Sequence, residues 1–343
     1  MILIQNIYYM LSYAFQVLNE KEIQKVDAEA FDNAQRLCAE ILIKGISVQI
    51  KRGLKRDYMS HTETLSSVRG KIDVSDSLKT LSILRRQMVC NYDEFTTDTE
   101  LNRILKTTLQ LLLKEDITKS QKKEIKKLLI YFADVQETDI HFINWNMHYN
   151  RNDQSYQFLI TVCYLVIKGL LQTQSDGIYK MMNFFDEQRM SRLYEKFLLE
   201  YYRKNYPELH ANPSPIDWQL DQGTDDMLPN MKTDIMLQKE NEILIIDAKY
   251  YSFTTQVYFD KHSIHSANLY QIFAYVKNKE YELKDKPHKV GGMLLYARTN
   301  EDVQPDSEYT MSGNPIFVKT LDLNQDFKNI ANELNGIVQR FFS

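Results

Sequence analysis

The chain has 343 residues, 43% of them hydrophobic and 26% charged, with a formal net charge of −4. This length and composition suit two packed domains and exclude a disordered chain. The acidic balance argues against a dedicated DNA-binding domain working alone, because such domains are usually basic, and suits a subunit brought to DNA by a partner. Three cysteines, Cys38, Cys90 and Cys163, stand far apart with no Cys-x-x-Cys pair. That argues against a zinc site or a disulfide framework and predicts a reducing, cytoplasmic setting. His262 and His265 form the closest histidine pair, in a polar stretch, and are read as incidental.

In chain order, the first 18 residues are apolar but interrupted by Gln5, Asn6, Ser12 and Gln16. They lack the basic start and small-residue cleavage site of a signal peptide. Tyr8, Leu11, Phe15 and Leu18 fall on one helical face, which predicts an amphipathic packed helix over residues 5–19. A second helix is expected over 32–44. Ile46-Ser47-Val48-Gln49-Ile50 alternates and predicts a strand. Gly53 and Gly70 punctuate a strand-and-loop region up to about residue 75. Helices follow over 98–114, 119–132 and 153–172. Lys122, Lys123, Lys126 and Lys127, with Glu124 between them, read as a solvated helix face.

The polar stretch 144–153 predicts a junction between an N-terminal domain, 1–150, and a C-terminal domain, 151–343. Residues 205–230 carry Pro207, Pro213, Pro215 and Pro229 with Asp217, Asp221, Asp225 and Asp226. They predict an irregular lead-in with a short strand near 217–220. Strands are expected over 291–297 and 315–321, and a closing helix over 326–342. The fold class is α/β, with a C-terminal mixed sheet flanked by helices and an N-terminal domain of mixed helix and strand. No window approaches an uncharged membrane span, so no membrane association is expected. No Gly-x-x-x-x-Gly-Lys-Ser/Thr loop occurs, so any GTP must be bound by another chain.

The sharpest chemical signal is a pair of acid-bearing apolar runs. Thr233-Asp234-Ile235-Met236-Leu237 is followed by Ile243-Leu244-Ile245-Ile246-Asp247-Ala248-Lys249 after a polar turn. Side chains alternate along a strand, so Asp247 and Lys249 face the same way. A hairpin centred between Glu240 and Asn241 places Asp234 directly opposite Asp247 and on the same face. Two carboxylates can hold a hard cation such as Mg²⁺, and a neighbouring lysine can orient or help deprotonate a water. The pattern therefore predicts phosphodiester hydrolysis, with Asp234 and Asp247 as metal ligands. Downstream, Asn268 to Val276 reads as helix, with Gln271 and Tyr275 on one face. Upstream, Arg192 to Tyr201 is a strong helix that carries Glu195 and Glu200.

An Asp followed by Asp-x-Lys at the end of a hydrophobic strand resembles the PD-(D/E)XK nucleases, and Gln271-x-x-x-Tyr275 resembles a helix that supports the site in RecB-like members. Nucleases of that class often place a helical Glu near the metal, so the resemblance makes Glu195, or else Glu200, the candidate third carboxylate. The resemblance extends along the chain. Gln5-Asn6-Ile7-Tyr8-Tyr9-Met10-Leu11-Ser12-Tyr13-Ala14, Arg52-Gly53-Leu54-Lys55-Arg56-Asp57-Tyr58 and Arg69-Gly70-Lys71-Ile72-Asp73 are followed by Asp98-Thr99-Glu100-Leu101-Asn102-Arg103. Then come the Asp234 and Asp247 segments, the Asn268 helix and Gly291-Gly292-Met293-Leu294-Leu295-Tyr296. In this order they resemble the McrC family, the nuclease subunits of McrBC 5-methylcytosine restriction systems.

The resemblance implies a PD-(D/E)XK endonuclease domain that cuts double-stranded, methylated DNA in phage defence, with Asp234, Asp247 and Lys249 catalytic. It implies an N-terminal part that docks on McrB, a GTP-hydrolysing AAA+ hexamer, and stimulates its GTPase. The basic, glycine-punctuated stretch with Arg52, Arg56 and Arg69 is the expected partner-facing surface. Two other readings stay open: a GTPase-activating adaptor with a silent nuclease fold, and a stand-alone RecB-like repair nuclease.

Overall fold

Two apolar runs, Glu242–Lys249 and Lys289–Ala297, lie side by side within a five-stranded mixed sheet. The computed structural model describes residues 2–15, 34–147, 149–150, 153–176, 187–251, 253–258 and 261–342. These fall into two compact units, one from the described residues of Met1–Glu20 and Gly177–Ser343, the other from those of Phe31–Asp176. The units are thus not divided at residue 150. The first helix, α1 (Ile4–Ala14), belongs with the C-terminal residues. Its Tyr9 and Tyr13 stack on Phe327, and the buried Asn6 amide donates to the Leu323 and Gln325 carbonyls at 2.9 and 2.7 Å. Tyr8 and Leu11 are buried as the apolar face required. Leu18, expected on the same face, lies outside the described residues, as do the predicted ends at 16–19 and 32–33.

In the other unit, α2 (Ala34–Arg52) runs straight through residues 46–50. The strand expected there is absent for a physical reason. Gly45 does not end the helix but admits Leu159, whose side chain a Cβ there would meet at 2.4 Å, and Ile41, Leu42, Ile46 and Gln49 recur at helical spacing and are all buried. The strand bias of Ile and Val is weak and yields to such packing. Ser47 Oγ donates back to the Ile43 carbonyl at 2.6 Å. Gly53, at φ +91, lies just beyond the helix, in the backbone region that favours glycine.

The chain then forms an antiparallel sheet in the order β1-β3-β2, from β1 (Asp57–Leu65), β2 (Lys71–Asp73) and β3 (Met88–Thr96), with α3 (Val74–Lys79) between the last two. β3 was not foreseen because it does not alternate regularly and few of its residues are buried. Three helices complete the unit: α4 (Glu100–Leu112), α5 (Lys119–Leu129) and α6 (Gln154–Asp176). The root of β1 is tied to them by polar contacts. Asn102 Nδ2 donates to the Lys55 and Thr97 carbonyls, both at 2.8 Å, and Tyr156 OH donates to Asn102 Oδ1 at 3.0 Å. Lys55 pairs with Asp153 at 2.7 Å, and Arg103 grips Asp98 through two nitrogens at 2.7 and 2.6 Å.

The C-terminal unit contains α7 (Glu187–Asn205), the short pair β4 (Pro215–Ile216) and β5 (Met231–Lys232), and the hairpin β6 (Ile235–Lys239) and β7 (Glu242–Lys249). The strand expected near 217–220 is this two-residue pair instead. Next come the hairpin β8 (Thr255–Tyr258) and β9 (Lys261–Ile264), then α8 (Ser266–Glu282), β10 (Lys289–Ala297), β11 (Ser307–Met311), β12 (Asn314–Leu321) and α9 (Phe327–Phe341).

The sheet order is β11-β12-β10-β7-β6, with β10 parallel to β7 and β12 and the two outer strands antiparallel to their neighbours. Helices cover both of its faces, which explains why β7 and β10 are apolar almost throughout. Gly291 and Gly292 thin one face each. A Cβ at Gly292 would fall 2.7 Å from Ile272 and 2.8 Å from Val276 of α8, and one at Gly291 would fall 2.6 Å from Phe341 of α9. Glycine at both positions lets the two helices seat directly on β10. Among the described residues no helix is long and apolar enough to cross a membrane.

Candidate active site

The hairpin pairs Ile235 with Ile246, Met236 with Ile245, and so on to Lys239 with Glu242. Glu240 and Asn241 make the turn, Glu240 taking the left-handed conformation at φ 54 that the missing glycine would have occupied. One further step of this register sets Asp234 against Asp247, as the spacing predicted. Asp234 sits just before β6, and its Oδ2 accepts from the Ala248 amide at 2.8 Å.

Ile243 and Ile245 point into the core beneath α8, and alternation carries Asp247 and Lys249 to the same face. Asp247 is 2% exposed. Lys249 Nζ lies 2.6 Å from Asp247 Oδ2 and donates to Gln271 Oε1 at 3.2 Å. Gln271 Nε2 donates to Tyr275 OH at 3.0 Å, which donates to the Lys232 carbonyl at 3.2 Å. The contact between Asp247 Oδ2 and Lys249 is an ion pair without hydrogen-bond alignment, and that buried oxygen has no hydrogen-bond partner among the described residues.

Burial sets the electrostatics. It raises the Asp247 and Asp234 pKa values, in each case against the pull of the Lys249 charge. For Lys249, burial acts downward, but the Asp247 carboxylate outweighs it and the amine stays protonated with a raised pKa. Glu195, half-buried on α7, accepts from Ser191 Oγ at 2.9 Å. Its pKa is raised by burial and then by the Asp234 charge, which places Glu195 in the field of the cluster. Glu200 is instead tied to Arg203 at 2.8 Å.

Asp234, Asp247, Lys249, Gln271 and Tyr275 are therefore brought together, whereas Glu195 feels the Asp234 charge but forms no three-acid group with Asp234 and Asp247. Arg52, Arg56 and Arg69 belong to the other unit, where all three are exposed. Arg56 lies over the Phe95 ring at 5.9 Å, and Arg69 over Tyr92 at 4.1 Å.

Among the described residues no group of three or more His, Cys, Asp or Glu side chains is placed to hold a metal ion. Mg²⁺ does not require such a group, since it is commonly held by one or two carboxylates with waters and substrate phosphate. Asp234 and Asp247 fit that need, because they are two adjacent, largely buried carboxylates that share a single ammonium, Lys249.

The sequence reading passed over three neighbours of Lys249. Tyr296 pairs with it in register on β10, Asn268 donates to Tyr296 OH, and Tyr251 donates to Asn268. Helical spacing of Asn268 with Gln271 and Tyr275 was the available signal.

The profile of the McrBC 5-methylcytosine restriction system component family matches residues 4–297. The chain belongs to that family. It is 30% identical over 347 residues to the type IV methyl-directed restriction enzyme EcoKMcrBC of Escherichia coli strain K12, covering 98% of this chain and 97% of that protein. Among solved structures it is similar to a half-complex of Thermococcus gammatolerans McrB AAA+ hexamers with bound McrC. The TM-score is 0.46 at 17% identity, over 97% of this chain and 76% of that one. The McrBC complex of the same organism gives a TM-score of 0.39 at 18% identity, over 47% and 50% of the two chains. The family match runs from α1 to the end of β10, and so includes Asp234, Asp247, Lys249 and the Asn268 helix.

The loop leaving β7 is anchored by Glu301. Its carboxylate accepts from the Thr254 amide and from the hydroxyls of Thr254, Thr255 and Thr299, the last three at 2.8, 2.9 and 2.9 Å. Burial raises the Glu301 pKa, but these donors outweigh it and hold it at about 2, against 4.5 for an ordinary glutamate. A lowered folded-state pKa means that the contribution to stability is complete above pH 4.5 and is lost as pH falls towards 2. Glu301→Gln is therefore expected to melt below wild type at about pH 7, with the gap closing as pH falls to about 2. Thermal melts of the two chains across that range check this.

Proposed function

We propose that this chain is the DNA endonuclease subunit of a GTP-dependent, modification-sensing restriction complex, with a PD-(D/E)XK centre at Asp234, Asp247 and Lys249. The observation that carries this reading is the pair of largely buried, adjacent carboxylates, Asp234 and Asp247, with the protonated Lys249 2.6 Å from Asp247, in a chain of the McrBC family. Asp234 and Asp247 would hold Mg²⁺, which when bound supplies Lewis acidity and offsets phosphate charge.

Lys249, kept as an ammonium by Asp247, donates hydrogen bonds. It therefore orients the attacking water and stabilises charge growing on the phosphate. The water oxygen bonds to phosphorus and its proton passes to solvent, while the bond to the leaving deoxyribose oxygen breaks and that oxygen takes a proton from solvent. Gln271 aims the ammonium and Tyr275 holds Gln271, while Glu195 adds its charge to the field at Asp234.

The named relatives are a methyl-directed restriction enzyme and McrC bound to McrB AAA+ hexamers. By that likeness the partner is an McrB-like AAA+ GTPase hexamer that binds the GTP, and the substrate is double-stranded, methylated DNA. Asp247→Asn is nearly isosteric and separates the two activities. In the assembled complex it is expected to lower Mg²⁺-dependent cleavage by roughly three orders of magnitude and to keep GTPase stimulation. Cleavage persisting in that variant would remove Asp247 from the mechanism, and GTPase stimulation lost with it would contradict the division of labour.

The partner-facing surface is assigned to Arg52, Arg56 and Arg69 on and beside the exposed β1-β3-β2 sheet. Exposed arginines on aromatic rings are suited to pairing with acidic groups of a partner. Replacing Arg52 and Arg56 together by Ala is expected to weaken assembly with the GTPase by roughly tenfold or more, with the melting of the chain unchanged. Wild-type assembly in a titration of that double variant would move the surface elsewhere.

A further inference from the structure

Asn268 stands at the centre of a second polar network on the same sheet face. Its Nδ2 donates to Tyr296 OH at 3.0 Å, and its Oδ1 accepts from Tyr251 OH at 3.3 Å. Both halves of the amide are used in a side chain only 6% exposed. The network joins three separate places: the first turns of α8, strand β10, and the segment leaving β7. Tyr296 is fully buried and lies in register beside Lys249. Tyr251 follows Lys249 by two residues, and its ring lies 6.3 Å from that of Tyr296 and 5.6 Å from that of His265.

The start of α8 needs such a tether. His265 occupies the N-cap and makes no side-chain capping bond, and its Nε2 is buried without a hydrogen-bond partner among the described residues. Gln271, one turn beyond Asn268 on the same helix face, is the acceptor that meets the Lys249 ammonium. If the first turns of α8 slid or rotated, Gln271 would move and the amine would lose its direction. An apolar trio could fill the same volume, whereas a buried amide with both ends satisfied also fixes angle and register.

We propose that Asn268, bridging Tyr296 and Tyr251, is a positioning residue for the Lys249 ammonium: it locks the start of α8 to β10 and to the end of β7, and so sets where Gln271 holds the amine. The consequence for cleavage rests on the nuclease reading above, but the positioning itself does not.

Tyr296→Phe and Tyr251→Phe each remove one hydroxyl with almost no change of volume. The full-length chain is treated with a limiting amine-acylating ester, and labelling at each lysine is read by mass spectrometry. Lys249 is expected to label about fivefold faster in either variant, with exposed lysines such as Lys123 unchanged. In the complex with the GTPase partner, kcat for DNA cleavage is expected to fall about tenfold while KM for DNA holds. If Tyr296→Phe melts early, the half-buried Tyr251→Phe decides. Lys249 labelling equal to wild type in a folded variant overturns the proposal, even if cleavage falls. Faster Lys249 labelling in a chain whose wild-type complex cuts no DNA upholds the positioning and sinks the nuclease reading instead.

Discussion

Burying two carboxylates and an ammonium at the end of a strand that is apolar on both faces is the constraint on which the C-terminal unit depends. A charge withdrawn from water must be paired, and leaving one unpaired typically costs about 3–5 kcal/mol. Asp247, 2% exposed, is met by Lys249 from two residues along the same strand. Asp234 is met by the Ala248 amide, and Lys249 by Gln271. These contacts nearly close the electrostatics of the cluster. What they leave over is excess negative charge: two largely buried carboxylates share one ammonium, which lies 2.6 Å from Asp247 Oδ2.

The rest of the unit serves to hold this cluster at the sheet rim. Gly291 and Gly292 bring α9 and α8 against β10 from opposite faces. α8 then presents Asn268, Gln271 and Tyr275 to the site at helical spacing, each engaged in a hydrogen bond. Glu301 anchors the chain just beyond Lys249. The N-terminal unit solves a different problem. Its three-stranded sheet is largely exposed, so it is fixed at its root by the Asn102, Tyr156 and Lys55 contacts. Much of the family-like sequence in that half, including Asp98, Asn102 and Arg103, is occupied with this joint.

The site was largely legible because its geometry is local. Asp234 and Asp247 stand symmetrically about a turn, so their opposition follows from counting, and the Gln271–Tyr275 pair follows from helical spacing. The central strands were legible because burial on two faces leaves unbroken apolar runs. Residues 46–50 misled because alternation over five residues also fits a helix whose buried stripe continues from before it. β3 and β11 were missed because neither alternates regularly and few of their residues are buried. Tyr296 was missed for a deeper reason. Its place beside Lys249 depends on parallel register across a crossover, which no short-range pattern encodes.

The proposed nuclease activity requires that Asp234 and Asp247 together hold a divalent cation. The most direct measurement is a crystal of the chain grown with Mn²⁺ in place of Mg²⁺ and recorded at the manganese absorption edge. The account predicts one anomalous peak about 2.1 Å from an oxygen of each carboxylate, with Asp247 Oδ2 among its ligands. Full manganese in the mother liquor with no peak at that position, and Asp247 still paired with Lys249 alone, would contradict it.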